Sequence, residues 1–259
     1  MGSNWTRGLG LFVGPLVVSI AAAIGATGLP QPAQTIDGNA LLREVDRRLN
    51  PPSYEAYRRL VNVEPNGRTR EYLLYTVSGG RDRVAALFLE PASDKGRSTL
   101  RLGDNMWLYV PTAGKPVRIT SLQSVVGGVF NNADILSVDY ATEYAVNTVE
   151  PAGPEVLLTL KAKSRTVAYD QLRMWVTSAT KIPTKIECLT PTAMLIKTLY
   201  FKDVKPFDGG IVRPSLIETD SPLYRGYRSS MTWLRITPRT FSDEIFTLTF
   251  MPRLDSLRR

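Results

Sequence analysis

A change in hydrophobic periodicity constrains the fold of this chain more than any other sequence feature. The segment from Asp37 to Leu49 has apolar residues at helical spacing, with Asp37 placed to cap the first turn and Asn50-Pro51-Pro52 placed to end the helix. The apolar face of this segment consists of Leu41, Leu42, Val45 and Leu49. From Ser53 onward, apolar residues recur at every second position, which is the period of a half-buried strand. We therefore predict one N-terminal helix followed by a long β region.

The β region is divided by turn residues into short alternating segments. Pro65-Asn66-Gly67 and Gly103-Asp104-Asn105 are hairpin signals, and Gly79-Gly80 separates two further segments. We predict about eleven to thirteen antiparallel strands in one open or closed sheet, with the last strand ending near Phe250. No stretch has the composition of a linker, so residues 29–259 are predicted to form a single domain.

The segment Ser121–Tyr144 interrupts the alternation. It contains Gly127-Gly128, and two short stretches near residues 122–126 and 133–138 have helical spacing. We predict that it forms a lid, plug or crossover, because its apolar side chains need an apolar surface on which to pack. These lid candidates are Leu122, Val125, Val126, Val129, Phe130, Ile135 and Leu136. The two glycines would give a hinge its backbone freedom, and a fixed structural crossover is the alternative.

The counts of histidine and cysteine restrict the chemistry. Among its 259 residues the chain has no histidine and one cysteine, Cys188, which excludes Ser-His-Asp and Cys-His nucleophiles, a four-thiolate metal site and an internal disulfide. Lys and Arg outnumber Asp and Glu by 32 to 24, but this excess is spread along the chain, without a recognition helix or an aromatic stacking motif. We predict no nucleic-acid partner, no metal and no cofactor.

The N-terminus has the pattern of a secretory signal. Arg7 precedes an apolar run from Leu9 to Ala26, and small residues and Pro30 follow it. We predict that residues 1–28 are a signal peptide cleaved before Leu29. An uncleaved membrane anchor is the alternative, because the run is nearly long enough to span a bilayer. No cysteine lies near the predicted cleavage site, so lipid attachment of the bacterial lipoprotein type is not expected.

Other motifs are predicted to be structural. Ser178-Ala179-Thr180-Lys181 matches Ser-x-x-Lys, but it lies in a turn and not on a helix. Asp134, Asp139 and Glu143 have the ligand type for a divalent cation, and helix capping is their alternative role. The loop Tyr224–Arg228 is predicted to be a solvated hairpin tip, with contact to phosphate headgroups or a partner as the alternative.

One hairpin carries a resemblance to a known family. Arg101-Leu-Gly-Asp-Asn-Met-Trp-Leu-Tyr-Val-Pro111, followed by Pro116–Ser121 and a glycine-rich break, resembles the LolA-like outer membrane lipoprotein-sorting protein family. Further similarity lies in Leu172–Val176, Leu199–Val204 and Thr240–Phe246. The order of elements matches from about Asp37 to Leu254. The resemblance implies a mainly β fold, an incomplete antiparallel β-barrel of about 11 strands with an N-terminal helix and a short helical lid or plug.

The resemblance also implies a function. Members of such a family are periplasmic, monomeric carriers that are not enzymes, and they hold the acyl chains of lipoproteins or lipids in an apolar cavity between the inner and outer membranes. An inner-membrane exporter is the implied handover partner. The long segment Ser121–Tyr144 and the positive net charge differ from the best-known carriers, so lipoprotein, free lipid and glycolipid all remain candidate cargoes. An accessory protein that docks on an inner-membrane lipid exporter is one alternative function, and an exported hydrolase using carboxylates is another.

Strand parity selects the residues expected to contact the cargo. Apolar side chains on one face of their strands would line the cavity, and an ordinary packed core is the alternative. The candidates are Leu100, Leu102, Met106, Leu108, Val110, Val156, Leu158, Leu160, Leu172, Met174 and Val176. Trp107 and Tyr109 have the opposite parity and are expected on the other face.

Overall fold

The computed structural model describes residues 1–2, 36–80 and 82–258. The predicted signal peptide lies outside the described residues except for its first two positions. The unit described below begins at Ile36. Within the described residues, none of the helices combines the length and the apolar character that crossing a bilayer requires.

The predicted N-terminal helix is present as α1 (Gly38–Leu49). Asp37 is its N-cap, and the Asp37 carboxylate accepts hydrogen bonds from the backbone N–H groups of Asn39 at 2.9 Å and Ala40 at 3.0 Å. The predicted apolar face is buried, and Asp46 is buried with it. The sequence pattern therefore located this helix and its cap correctly.

Thirteen strands follow α1 and form one antiparallel sheet. They are β1 (Tyr54–Val63), β2 (Thr69–Ser78), β3 (Arg83–Glu90), β4 (Ser98–Leu102), β5 (Asn105–Tyr109), β6 (Val117–Ile119), β7 (Tyr144–Ala152), β8 (Glu155–Ala162), β9 (Gln171–Thr177), β10 (Pro183–Leu189), β11 (Leu195–Pro206), β12 (Val212–Asp220) and β13 (Arg228–Pro238). The sheet is open, with the order β6-β5-β4-β3-β2-β1-β13-β12-β11-β10-β9-β8-β7. The mainly β, antiparallel fold is confirmed, and the thirteen strands lie within the predicted range of about eleven to thirteen.

The predicted final strand near Phe250 is wrong. The chain after β13 forms 3₁₀ helices at Asp243–Ile245 and Met251–Leu257. Pro252 lacks the N–H group that a strand would need for pairing, and the apolar residues Ile245, Phe246, Met251 and Leu254 pack against the sheet instead. We call residues 241–257 the C-terminal cover.

The chain starts in the middle of the sheet, because β1 pairs with β13. It then proceeds strand by strand to the edge at β6, and residues 120–143 carry it to the opposite edge at β7. We call residues 120–143 the crossover segment. It contains α2 (Asn132–Ile135) and α3 (Tyr140–Glu143). The predicted helical stretch near 133–138 is confirmed in part, whereas residues 122–126 form turns and an isolated bridge between Ser124 and Asn131.

The sheet curves strongly enough to bring its two ends together. Thr166, in the loop between β8 and β9, donates a hydrogen bond of 3.2 Å to Asp104, in the turn between β4 and β5. Arg101 of β4 also pairs with Glu143 of α3. One face of the sheet carries α1 and the crossover segment, and we call its apolar cluster the inner core. The other face carries the C-terminal cover, and we call that cluster the outer core.

Candidate functional site

The inner core is the candidate functional site. It joins side chains from α1, from the crossover segment and from strands on both halves of the sheet. Seven predicted cavity residues are buried in it: Met106, Val156, Leu158, Leu160, Leu172, Met174 and Val176. In the described structure they belong to a packed core, and none of them lies on the wall of the depression or the cavity described below.

Leu100 and Leu102 lie on the opposite face from the one predicted. In the β4–β5 hairpin, Leu102 is paired with Asn105 and Leu100 with Trp107, so these residues share a face. The prediction assumed that even-numbered residues face the same side in both strands of the hairpin. Across a two-residue turn, however, even-numbered residues of one strand pair with odd-numbered residues of the next and share their face. Leu100 is fully buried in the outer core, and Leu102 and Trp107 pack beside it.

Leu108 and Val110 have a third environment. Leu108 pairs with Thr99 and therefore lies on the face of Met106, but it is only half-buried. Val110 follows β5 and precedes a 3₁₀ turn. Among the described residues, neither side chain joins the inner or the outer core. Both therefore lie outside the packed interior.

The crossover segment fills the interior. Val125, Phe130, Ile135 and Leu136 are buried in the inner core, and Val126 packs against its border. Val126 has φ 47° and Ser137 has φ 61°, so residues that bracket the buried stretch adopt the left-handed conformation that disfavours β-branched side chains. Leu122 is an exception to the prediction, since 56% of its surface is exposed.

Arg58 forms the first of several polar contacts that hold the crossover segment. The sequence Ala56, Arg58, Leu60 places its side chain on the inner face of β1, where it is fully buried. Arg58 Nη1 donates to the carbonyl of Ile135 at 2.8 Å, and Nε donates to the Thr76 hydroxyl at 2.9 Å. This guanidinium therefore ties α2 to the middle of the sheet.

Asp46 joins α1 to α3. Its two carboxylate oxygens accept hydrogen bonds from the backbone N–H groups of Tyr140 at 2.9 Å and Ala141 at 2.7 Å. Burial raises the pKa of Asp46 to about 7; the N–H group of Ala141 opposes this rise, and the neighbouring Asp139 carboxyl adds to it. The contact between α1 and α3 therefore contains a carboxyl group that takes up a proton near neutral pH.

The three acidic residues considered as cation ligands are used separately. Asp134 forms a buried ion pair with Lys197 and also caps α2, Asp139 caps α3 through the N–H of Thr142, and Glu143 pairs with Arg101. Among the described residues, no three acidic or cysteine side chains are grouped as a metal site. Helix capping, the alternative given above, is the observed role of Asp134 and Asp139, whereas the ion pairs of Asp134 and Glu143 were not predicted.

A surface depression of about 280 Å³ lies where the inner core meets solvent. Its wall includes Val129 and Tyr169 from the interior, together with Leu122, Leu223 and Tyr224. Each of these last three side chains is more than half exposed. We call Leu122, Leu223 and Tyr224 the apolar rim. The loop Tyr224–Arg228 thus contributes an apolar residue as well as its basic ones.

A smaller cavity, of about 50 Å³, lies beneath the end of α1. Phe130, Ser137, Val138 and Tyr140 of the crossover segment form one side. The opposite side, from β11, β12 and β13, consists of Leu199, Phe201, Arg213, Ile217, Met231 and Trp233. This volume is close to that of one or two water molecules.

Sequence reasoning missed Arg58, Arg213, Trp233, Lys197 and Asp46 as inner-core residues. For Arg58 and Asp46 a signal was present, since Arg58 alternates with buried residues of β1 and Asp46 lies on the apolar side of α1. Arginine and lysine are rarely fully buried in proteins. An arginine or lysine in a strand is therefore predicted to be exposed when the alternation of the strand is the only information.

The remaining motifs have structural roles. Lys181 donates to the backbone carbonyl of Ser178 in a turn, so the Ser-x-x-Lys pattern does not form a nucleophile with its lysine. Cys188 is fully buried in β10, and burial raises the pKa of its thiol well above the ordinary value. Neither group is activated for chemistry.

Comparison with solved structures gives several proteins of the same fold. A LolA superfamily protein from Nitrosomonas europaea has 24% identity and a TM-score of 0.75, with 83% of this chain and 100% of that chain covered. A protein from Vibrio parahaemolyticus described as an outer membrane lipoprotein-sorting domain has 18% identity and a TM-score of 0.70, covering 83% and 98%. A DUF1329 family protein from Desulfovibrio piger has 19% identity and a TM-score of 0.70, covering 83% and 97%.

A protein-family model described as "-like: Uncharacterized protein" matches residues 80–253, well over half of the chain. The comparison with curated proteins gave no match. The identities to solved structures are below 25%, so they establish the fold, and the family match extends through the hairpin on which the resemblance was based. The chain belongs to the family that this model describes, and it has the fold of LolA superfamily proteins.

Proposed function

We propose that this protein is a periplasmic carrier that binds the acyl chains of a lipid or lipoprotein in its inner core. Binding requires the crossover segment to leave the interior, so that the space occupied by Phe130, Ile135 and Leu136 becomes available to the cargo. No catalytic step is needed for this function. Lys181 of the Ser-x-x-Lys pattern has a structural hydrogen bond.

The observation that carries the proposal is the way in which the interior is filled. The crossover segment supplies apolar side chains to the core, yet the one β contact it makes among the described residues is an isolated bridge within the segment itself, between Ser124 and Asn131. Among its attachments to the rest of the fold are side-chain hydrogen bonds and ion pairs from Arg58, Asp46, Lys197 and Arg101. Such polar contacts contribute little net stability, because water replaces them when they open.

The energetic balance favours exchange of this segment for cargo. An acyl chain that leaves water gains about 0.8 kcal/mol per methylene, so a chain of ordinary length gains enough to offset the loss of a few buried side chains. The left-handed backbone at Val126 and Ser137 adds strain to the closed form and lowers the free energy of opening.

The apolar rim provides the entrance in this proposal. Leu122, Leu223 and Tyr224 lie between the surface and the buried residues Val129 and Tyr169. A chain end that contacts this rim is already partly removed from water before the crossover segment moves. Transfer from an exporter and to an acceptor would use the same entrance, and cleavage of the predicted signal peptide near Leu29 would release the carrier into the periplasm.

Native mass spectrometry of protein recovered from the periplasm tests this function. We expect a population whose mass exceeds that of the mature chain by a bound lipid, and loss of this mass after detergent exchange. Titration of the delipidated protein with a fluorescent acyl probe should then show saturable binding. A lipid-free protein that also fails to bind the probe would contradict the carrier function.

A further inference from the structure

Two fully buried guanidinium groups lie on one indole ring in the inner core. Arg58 of β1 and Arg213 of β12 have 1% and 3% of their surface exposed. The guanidinium carbon of Arg213 is 4.2 Å from the centroid of the Trp233 ring, and that of Arg58 is 5.7 Å away. Arg58 and Trp233 are also cross-strand neighbours beside a bulge in the β1–β13 pair. Two like charges are therefore concentrated around Trp233.

Neither guanidinium has an anionic partner in the described part of the chain. Arg58 donates to the Thr76 hydroxyl, the Ile135 carbonyl and the Met231 sulfur. No carboxylate lies within 4.0 Å of it among the described residues. Burial lowers the pKa of Arg58 to about 10, and the charge of Arg213 contributes.

Arg213 has the same kind of surroundings. It donates to the carbonyl of Leu49 at the end of α1 and, at 3.4 Å, to the carbonyl of Pro214, and it bonds the Tyr54 phenol. Within the described residues its contacts are therefore neutral acceptors, as for Arg58. Two buried like charges without a counter-charge are costly to maintain, and they suggest a ligand that the closed protein lacks.

The wall of the small cavity has an excess of hydrogen-bond donors. Arg213 and Trp233 both contribute to it, and the buried Nε1–H of Trp233 has no acceptor. Asp134 is the carboxylate on this wall, and it is paired with Lys197. A buried donor without an acceptor is uncommon in a folded protein. The Trp233 Nε1–H lacks an acceptor, and an anion would supply one together with negative charge.

We propose that Arg213 and Trp233 form a site for the anionic headgroup of the cargo. This inference rests on the carrier function above and specifies its substrate class as an acidic lipid, with a phosphate or carboxylate group. Arg213 and the indole N–H would donate to the anion, and Arg58 would add its positive charge. The adjoining apolar wall, with Phe201, would contact the first methylenes of the chain.

The geometry makes headgroup binding conditional on opening. The cavity of about 50 Å³ is too small for a phosphate group with an attached chain. One side of it belongs to the crossover segment, including Phe130 and Tyr140. Movement of this segment would enlarge the cavity and would remove the Ile135 carbonyl from Arg58, which frees that guanidinium to face the same anion.

Isothermal titration of the delipidated protein with three single-chain lipids of equal chain length tests the site. The ligands are lysophosphatidic acid, the free fatty acid and the uncharged monoacylglycerol. We expect at least one acid to bind about tenfold or more tightly than the monoacylglycerol, because a charge-assisted hydrogen bond in a buried site is worth more than a neutral one. The tighter acid identifies phosphate or carboxylate as the preferred headgroup.

Variants assign the preference to these residues. Arg213→Met should bind the monoacylglycerol and lose the preference for the acid. Arg173→Met is the matched control, because Arg173 also stacks on a tryptophan, at 5.1 Å from the Trp175 centroid, but is exposed on the surface. The control should retain the preference. If Arg213→Met fails to fold, Trp233→Phe keeps an aromatic ring and removes the Nε1–H donor, and it should reduce the preference several-fold.

The outcomes separate this site from the carrier function. Equal affinity for the acids and the monoacylglycerol would overturn the headgroup site and leave the carrier function intact. An acid preference that is undiminished in folded Arg213→Met or in Trp233→Phe would also overturn it. If none of the three lipids binds the wild-type protein, both proposals fail.

Discussion

The two faces of the sheet are covered in contrasting ways. On the inner face, the crossover segment is held by apolar burial of Phe130 and Leu136 together with buried polar contacts, among them those from Arg58 and Asp46. On the outer face, the C-terminal cover is fixed mainly by apolar burial of Phe246 and Met251 against strands β2, β3 and β4. Polar anchors exchange with water at small net cost, whereas exposure of aromatic and aliphatic groups does not.

The difference indicates which cover can move. A segment that leaves during the functional cycle must be held with a small closing free energy, because that free energy is subtracted from the affinity for cargo. A segment that stabilises the domain permanently has no such limit. We therefore expect the crossover segment to open while the C-terminal cover stays in place.

The largest expected effect is a difference between two buried phenylalanines. Phe246→Ala should lower the free energy of unfolding by about 3–5 kcal/mol, the usual cost of deleting a buried ring. Phe130→Ala should cost less, although Phe130 is at least as buried, because local opening of the crossover segment limits the loss to its closing free energy. Urea denaturation measures both values. Equal losses would contradict the contrast between the covers.

The second prediction uses pH. Asp46 has a raised pKa of about 7, so the unfolded state loses this proton first as pH rises, and the stability that it contributes decreases between about pH 4 and pH 7. We expect a decrease of about 3 kcal/mol in unfolding free energy from pH 5 to pH 8, because about two pH units lie below the raised pKa at about 1.4 kcal/mol per unit for one proton. In Asp46→Asn this decrease should be absent.

On the outer face, Glu55 provides a pH dependence of stability with the opposite sign. Burial raises the pKa of Glu55, but hydrogen bonds from Tyr75 and Arg239 outweigh it, so its pKa lies below the ordinary value. The stability that Glu55 contributes is therefore present at pH values above its ordinary pKa, and it is lost as the pH falls through the lowered pKa. Glu55→Gln should flatten the acid limb of the stability curve and leave the range from pH 5 to pH 8 unchanged. If Glu55→Gln abolished the decrease above pH 5, the assignment to Asp46 would be wrong.

The third prediction uses two glycines that touch the covers. A Cβ at Gly128 would overlap the Asn62 side chain, and a Cβ at Gly79 would overlap the ring of Phe246. Gly128→Ala should favour the open crossover segment by about 1–2 kcal/mol, which corresponds to roughly 5- to 30-fold tighter binding of an acyl probe. Gly79→Ala should lower stability without changing probe affinity. Fluorescence titration measures the affinities, and tighter binding by both variants would remove the distinction.

The smallest expected effect on stability belongs to the apolar rim. Leu223→Ser should change the unfolding free energy by less than about 0.5 kcal/mol, because this side chain is largely exposed. It should nevertheless slow loading of the probe from vesicles in stopped-flow measurements. Leu248→Ser, at another exposed position, is the control. An unchanged loading rate for Leu223→Ser would show that cargo enters elsewhere.

Sequence reasoning predicted the local elements well because local signals specify them. Asp37 caps α1 as expected, and the hairpin turns separate strands near the predicted positions. The error at Leu100 and Leu102 arose at a two-residue turn, where pairing of Leu102 with Asn105 determines which parities share a face. That pairing depends on the turn geometry, which the alternation within each strand does not contain.

The residues of the candidate site were harder to predict from the sequence than the secondary structure was. The prediction of a lid, plug or crossover at Ser121–Tyr144 agrees with the path of the chain, but the polar anchors come from distant positions such as Asp46 and Lys197. Arg213 and Trp233 meet because β12 lies beside β13, which pairs with β1 in the centre of the sheet. Only the long-range order of the strands brings these side chains together.

Locking the crossover segment to the sheet tests the central claim most directly. Asn62→Cys combined with Gly128→Cys places two thiols where the Cβ of residue 128 would contact the Asn62 side chain, which suits a disulfide. Acyl-probe binding is then compared for the oxidised and reduced forms of this one protein. We expect the oxidised form to lose binding and the reduced form to bind as the wild type does. Equal binding by the oxidised and reduced forms would contradict the requirement that this segment leave the interior.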